Sequence, residues 1–401
     1  MKSATAISYE LDNIAAATKE LTTQIRGKLA FGKNTVAILH GQPEMEIGGL
    51  AEAISRELGC QVIGGTTAAG AMLTNDGFHE LAVVLHVLSD DDCLFAASIS
   101  DSLATDPEEK IEEAYRKAYK NLKAQDAGAE PKMVICVASI LQSIDSDSIV
   151  AKISDLCGSV PVFGFNAADD FEFKKQQVYL DGEVGGDRLA ILLLSGNVKP
   201  IFRTAHLAGK KALEKRLVTK ARGNVIYEVE GKPAYDYIKS FPFIDDETKT
   251  LFNYQFFVEM QGDEANDGVA VSRALHSYDK ESGEVSCFAN VPENSYIGLL
   301  YCDGNDVANT CESGIEELID KINAAGDDYE YSTVIIVTCS LRNMFLADMK
   351  QAEGDRVRNL FPPNLTVSGL YGFGEIAPTS VRGNNKAVNR LHNATLTVCA
   401  F

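Results

Sequence analysis

Three glycine-containing segments hold the side chains best placed to bind a small molecule. They are residues 64–70, 164–170 and 369–375, and each follows or ends a short apolar run. Glycine allows tight turns, whose exposed N–H groups can face a carboxylate or a phosphate. Open α/β sheets bind ligands beyond the carboxyl ends of their strands. The segments therefore predict one shared site. The alternative is that the glycines only form turns and the acids only cap them.

Acidic side chains and one arginine in or near these segments could recognise a charged ligand. Arg342 follows an apolar strand, where its guanidinium could clamp a carboxylate with two parallel hydrogen bonds or form a surface salt bridge. Asp169, Asp170 and Glu375 would complement a cationic group. An amino-acid-like metabolite needs both partners. The predicted ligand-binding set is completed by Gly64, Thr66, Thr67, Asn166, Tyr371, Gly372 and Asn393.

Catalytic fingerprints are missing from the sequence. It contains no GxxxxGK[ST] phosphate loop, no GxSxG nucleophile elbow and no HExxH zinc helix. Its six histidines are dispersed, which argues against a shared metal site. We therefore predict a protein that is not a self-contained enzyme. The alternative is a threonine or cysteine nucleophile at Thr66, Thr67 or Cys339, although no base lies at short spacing from them.

Charge and cysteine content indicate where the protein works. The formal net charge is −20, and no segment concentrates Lys and Arg on one face. Nucleic acids and anionic membranes both require a positive footprint, so we predict binding to neither. Nine cysteines without a CxxC pair are typical of reduced thiols. With no secretory signal and no apolar run of about 20 residues, we expect a cytoplasmic protein without membrane insertion.

The segments that position these side chains form a repeat. An apolar strand at 35–39, a helical segment at 47–58 and a glycine-ended strand at 61–64 come first. The same order recurs from residue 133 to residue 164, and a looser copy begins at residue 334. A third strand closes each copy. Such copies predict an α/β fold with mixed sheets covered by helices, in which the first two strands of each copy pair in parallel.

Two further features define the organisation of the chain. A helix is predicted with Asp106 as its cap and Pro107 in its first turn, and residues 223–283 interrupt the repeat. We predict an N-terminal segment at 1–30, a first domain at 31–222 and a second domain at 223–401. The buried face of the helix is predicted to consist of Ile111, Ala114, Tyr115, Ala118 and Leu122.

Taken in order, several short motifs resemble those of the FIST family. The matching pieces are residues 62–70, 162–170, 218–226, 231–234, 339–342, 372–378 and 392–396. The resemblance implies adjoining FIST N and FIST C domains in a bacterial sensory protein for signal transduction. It also implies a small ligand, with amino acids as proposed ligands. The output would be a separate partner protein such as a histidine kinase or a cyclic-dinucleotide enzyme.

A haem-bound nitric oxide sensor is the alternative that the same resemblance suggests. Haem iron needs an axial ligand, usually His, Cys or Tyr. His392 lies in one of the matching motifs and is the first axial candidate, and His206 is the second. No other cofactor or metal is predicted.

Overall fold

Three copies of one α/β unit form the body of the protein, as the repeat predicted. Each copy is an edge strand, helices around a pair of parallel strands, a short hairpin and a closing antiparallel strand. The predicted repeat lacked the edge strands and the hairpins. The computed structural model describes residues 1–207, 209–211, 213–242, 244, 251–260, 270–326, 328–380 and 387–401.

The first two units follow each other directly. Residues 1–30, predicted as a separate segment, provide the edge strand and first helix of unit 1. Unit 1 consists of β1 (Lys2–Ser8), α1 (Ile14–Lys28), β2 (Asn34–Gly41), α2 (Ile47–Leu58), β3 (Gln61–Thr66), the hairpin β4 (Met72–Thr74) and β5 (Gly77–His79), and β6 (Val83–Asp90). Unit 2 consists of β7 (Leu94–Ile99), α3 (Pro107–Gln125), β8 (Pro131–Ala138), α4 (Ser146–Cys157), β9 (Val162–Asn166), the hairpin β10 (Val178–Leu180) and β11 (Glu183–Gly185), and β12 (Ala190–Ser195).

Unit 3 begins with β13 (Ile201–His206) and is then interrupted by an inserted barrel. The strand β18 pairs with both β19 and β21, so the inserted sheet closes on itself. The predicted boundary between residues 222 and 223 lies in a hairpin turn of this barrel. The barrel elements are β14 (Lys210–Lys211), β15 (Arg216–Arg222), β16 (Val225–Val229), β17 (Lys232–Pro233), α5 (Ala234–Lys239), β18 (Tyr254–Glu259), β19 (Ala270–Tyr278), β20 (Val285–Cys287) and β21 (Tyr296–Tyr301).

The chain leaves the barrel next to where it entered and completes unit 3. Lys210 of β14 pairs with Tyr301 of β21, which places entry and exit side by side. The remaining elements are α6 (Gly304–Ala324), β22 (Thr333–Cys339), α7 (Ser340–Leu346), α8 (Ala352–Leu360), β23 (Thr366–Gly372), the hairpin β24 (Glu375–Ser380) and β25 (Ala387–His392), and β26 (Thr395–Ala400).

The hairpin of each unit extends the sheet of another unit. Hairpin β10–β11 of unit 2 pairs with β3 of unit 1, and hairpin β24–β25 of unit 3 pairs with β9 of unit 2. Hairpin β4–β5 of unit 1 pairs with β23 of unit 3 and closes the cycle. Three six-stranded sheets result, and each needs a strand pair from a neighbouring unit.

The inner faces of the three sheets share one apolar core, and helices cover the outer faces. Ile38, Ile135 and Ile335, one from each unit, lie in this central core. Side chains alternate across a strand, so Leu39 points outward and packs under α1 and α2. The helix α3 starts after Asp106 and buries the five predicted residues, although Asp106 makes no side-chain capping bond. None of the helices in the described ranges is long and apolar enough to cross a membrane.

Candidate functional site

The three glycine-containing segments meet where the parallel strands end. Hydrogen bonds connect the segments, so several of their backbone N–H groups already donate to a neighbouring segment. These bonds run from Ala168 N–H to Thr66 O (2.8 Å), from Phe373 N–H to Asn166 O (3.0 Å) and from Tyr371 N–H to Thr67 Oγ1 (3.0 Å).

The predicted residues of the first segment hold strands together. Thr66 Oγ1 accepts a hydrogen bond from Gln177 N–H at 3.0 Å. Thr67 Oγ1 donates to the Ala71 carbonyl at 2.7 Å, and both threonines are fully buried. At Gly64, an added Cβ would lie 1.9 Å from the Leu39 carbonyl oxygen, so only glycine fits there. These three positions therefore have clear structural roles.

Asp169 organises the segment after β9. Its carboxylate accepts hydrogen bonds from three consecutive backbone N–H groups, those of Phe173 (3.0 Å), Lys174 (2.7 Å) and Lys175 (2.8 Å). Only 1% of Asp169 is exposed, whereas Asp170 lies on the surface. The arrangement corresponds to the capping alternative: Asp169 stabilises a loop, and a ligand cation would have to compete with three N–H donors.

Arg342 does not form an open carboxylate clamp. Its guanidinium is fully buried and bonds Glu353 Oε1 through Nε (3.0 Å) and Nη2 (2.6 Å). Both bonds converge on one oxygen, so they are not the two parallel bonds predicted from the sequence, and the carboxylate belongs to the chain itself. Tyr371 reinforces the pair, because its hydroxyl donates to Glu353 Oε2 at 2.8 Å. A ligand carboxylate would have to displace Glu353 from the core.

An aromatic cleft opens next to the meeting point of units 2 and 3. The space inside it that a water-sized sphere can reach is about 20 Å³, so a ligand enters only if the walls move apart, and part of the cleft is open to solvent. The walls come from the segment after β9, from the ends of β22 and β23, and from the inserted barrel. The lining residues are Ile140, Phe171, Phe173, Ala274, Phe288, Cys339, Ser340, Leu341, Phe373 and Asn393.

The floor of the cleft is polar and backed by a buried carboxyl group. Cys339, Ser340 and Asn393 line it and are each at most 3% exposed. Behind them, Glu375 Oε2 accepts bonds from the Thr395 hydroxyl (2.7 Å) and N–H (3.1 Å). Burial raises the pKa of Glu375 to about 8, although the Thr395 bonds act in the opposite direction. Glu375 is therefore mainly protonated at neutral pH and is no anionic partner for a ligand ammonium group.

The comparison with known families decides the identity of the chain. Residues 35–232 match the FIST N domain, and residues 235–378 match the FIST C domain. The chain belongs to the FIST family. FIST domains are associated with sensing in signal transduction.

Comparison of this FIST protein with individual proteins gave one distant relative and one weak structural match. An uncharacterized protein of Methanocaldococcus jannaschii is 27% identical over 222 residues, which are 52% of this chain and 40% of that protein. The chain thus spans less than half of that relative. A crystal structure of chorismatase aligns over 100% of this chain and 98% of its own with 8% identity and a TM-score of 0.37. That TM-score is too low to support any conclusion.

The two histidines proposed as haem ligands do not fit that role in this FIST protein. The His392 ring is fully buried, with Nε2 near Thr379 Oγ1 (3.0 Å) and the Ala377 carbonyl (3.3 Å). The His206 ring packs against it, with centroids 5.5 Å apart. Neither ring lines the aromatic cleft. A porphyrin beside His392 would require these packed elements to separate.

The candidate nucleophiles lack features typical of activated groups. Thr67 is bonded to backbone, as described above. Burial, together with the neighbouring Glu375 carboxyl group, raises the pKa of the Cys339 thiol well above its ordinary value. Because its pKa is raised, this thiol stays protonated at neutral pH. Reactive cysteines have the opposite property, a lowered pKa.

Sequence reasoning missed the aromatic walls of the cleft. Phe373 lies inside the third glycine-containing segment, and Phe171 and Phe173 directly follow the second. Their closeness to the predicted loops was a usable signal. Phe288 had no such signal, because the inserted barrel brings it to the cleft from another part of the chain.

Proposed function

We propose that this FIST protein is a small-ligand sensor whose ligand binds in the aromatic cleft. The observation that carries the proposal is the composition of the walls: Ala274 and Phe288 belong to the inserted barrel, and the other lining residues belong to units 2 and 3. A ligand bound in the cleft contacts the inserted barrel and the three-unit body at the same time. It can therefore favour one arrangement of the barrel on the body, to the extent that it binds that arrangement more tightly.

The ligand we propose is an amino-acid-like metabolite with an apolar side chain. Four phenylalanines provide an apolar lining suited to such a side chain. We propose no catalytic activity of its own for the protein. The signal would pass to a separate partner, such as a histidine kinase or a cyclic-dinucleotide enzyme, as in the signalling role associated with the family.

A thermal-shift screen of amino acids and their derivatives tests the cleft as the binding site. A ligand at 100 times its Kd stabilises a protein by about 2.7 kcal/mol, which is readily measured. We expect a ligand found with the wild type to lose most of its effect on Phe173→Ala. The matched control is Phe31→Ala, because Phe31 is 38% exposed and Phe173 is 41% exposed. Equal shifts in both variants would place the ligand elsewhere.

A further inference from the structure

Asn393 lines the floor of the cleft and has a side-chain carbonyl oxygen without a hydrogen-bond partner among the described residues. Its Nδ2 donates to the His392 carbonyl at 3.1 Å, whereas its Oδ1 is buried and has no hydrogen-bond partner among the described residues. The amide orientation follows from this bond, because a flipped side chain would place two carbonyl oxygens against each other. A buried acceptor without a partner has a desolvation cost, because it has lost its hydrogen bonds to water and gained none in return. A donor that enters the cleft removes this cost.

Among the residues that the structure describes, none of those lining the cleft has an ionised side chain. They are apolar except for Cys339, Ser340 and Asn393, and the thiol stays protonated because its pKa is raised. A charge placed on this floor would be desolvated without a partner, which is strongly unfavourable. The end of the ligand that reaches Asn393 is therefore neutral, and any ammonium or carboxylate group stays at the solvent-exposed mouth.

The walls favour an aromatic ring at that buried end. The Phe173 and Phe373 rings lie 4.7 Å apart between centroids, and the Phe173 and Phe288 rings lie 6.3 Å apart. Aromatic pairs prefer centroid separations of about 4.5–7 Å and are stabilised beyond the effect of the area that they bury. A ligand ring that packs against these side chains extends an existing aromatic cluster.

We propose that the ligand enters the cleft with its aromatic ring foremost. A neutral O–H or N–H group on that ring, as in a phenol or an indole, then donates a hydrogen bond to Asn393 Oδ1. This inference rests on the proposed function, since it assigns the ligand class of the same cleft. It also reverses the polarity expected from the sequence: the buried floor recognises the aromatic side chain, and the charged end of an amino-acid-like ligand faces water. Asn393 is then the residue that distinguishes a tyrosine-like ligand from a phenylalanine-like one.

The test compares ligands that differ only in the donor. Binding of 4-methylphenol and indole is measured by ligand-observed NMR against 4-methylanisole and 1-methylindole, in which a methyl group blocks the donor. We expect the blocked compounds to bind the wild type at least about tenfold more weakly, because Asn393 Oδ1 then stays without a hydrogen-bond partner. In Asn393→Leu, which keeps the size but lacks the acceptor, this preference should disappear.

The wild-type comparison tests the inference even if Asn393→Leu does not fold. Equal binding of parent and blocked compounds, with both weakened by Phe173→Ala, would overturn the role of Asn393 and leave the cleft as the ligand site. Failure of all four compounds to bind would overturn the ring-first assignment. The proposed function would fail separately, if ligands from the amino-acid screen bound Phe173→Ala and Phe31→Ala equally well.

Discussion

Arg342 shows how a correctly chosen residue type can have a different partner. The guanidinium contacts a carboxylate through two N–H groups, although both bonds reach the same oxygen rather than one oxygen each. Its partner is Glu353, eleven residues further along the chain, and both side chains are 0% exposed. Their attraction offsets a large desolvation cost only while both charges are present. We therefore expect the loss of Arg342 to lower the stability of the folded protein.

Removing one member of this pair should destabilise the protein strongly. We expect Arg342→Met to lower the free energy of unfolding by about 3–5 kcal/mol, because Glu353 is then a buried charge without its cation. The double variant Arg342→Met with Glu353→Leu should recover a large part of this loss. Urea unfolding of both variants measures the effect. If Arg342→Met kept wild-type stability but lost ligand binding, the clamp predicted from the sequence would be right.

Glycines in the second parallel strand of each unit determine how closely the strands approach. Gly64, Gly164 and Gly369 occupy corresponding positions in β3, β9 and β23. An added Cβ would lie 1.9 Å from the Leu39 carbonyl oxygen at the first and 1.8 Å from that of Cys136 at the second. At Gly369 the nearest atom is Ile336 Cβ, at 2.8 Å. The repeated glycine is thus a packing requirement of the parallel pair.

Gly164→Ala should disrupt the β8–β9 pair. We expect a loss of at least about 1–3 kcal/mol in the free energy of unfolding, the usual cost of overpacking a core, since the contact is with backbone that cannot move aside. The matched control is Gly27→Ala in α1, where an added Cβ meets nothing within 4 Å. That change should stabilise by up to about 1 kcal/mol, because alanine is the better helix former. Chemical denaturation distinguishes the two. Equal stability of both variants would show that the strands can separate.

The exchange of hairpins makes the body one cooperative structure. The sheet of unit 3 uses β4–β5 from unit 1, and the sheet of unit 2 uses β24–β25 from unit 3. A cut between the two family segments therefore leaves exposed sheet edges on both sides. The inserted barrel is different, because its entry and exit are adjacent and its own sheet closes.

Fragments of the chain should behave accordingly. We expect residues 1–232 alone to show no cooperative thermal unfolding, because β9 loses β24 and the hairpin β4–β5 loses β23. The control replaces residues 210–301 by a short flexible linker, which keeps all three six-stranded sheets. That variant should unfold cooperatively and lose ligand binding in the cleft, since Ala274 and Phe288 are gone. Cooperative unfolding of the 1–232 fragment would contradict the importance of the exchange.

A large part of the fold could be predicted from patterns of residues close together in the sequence. The parallel strand pairs and α3 were predicted because they depend on apolar periodicity and nearby glycines. The edge strand β1 was missed, because its buried positions Ala4, Ala6 and Ser8 are small or polar. The hairpins were missed because each is short and gains its partner strand from another unit.

The sequence by itself determined the repeated α/β unit, the glycines that permit close strand pairing and the FIST motifs, since these depend on neighbours along the chain. Only the tertiary structure decided what each functional side chain meets. In the folded protein, Arg342 forms an ion pair with Glu353. Phe173 packs against Phe288, which lies 115 positions further along the sequence. Such contacts depend on how the three units and the barrel pack, and residue spacing contains no record of that packing.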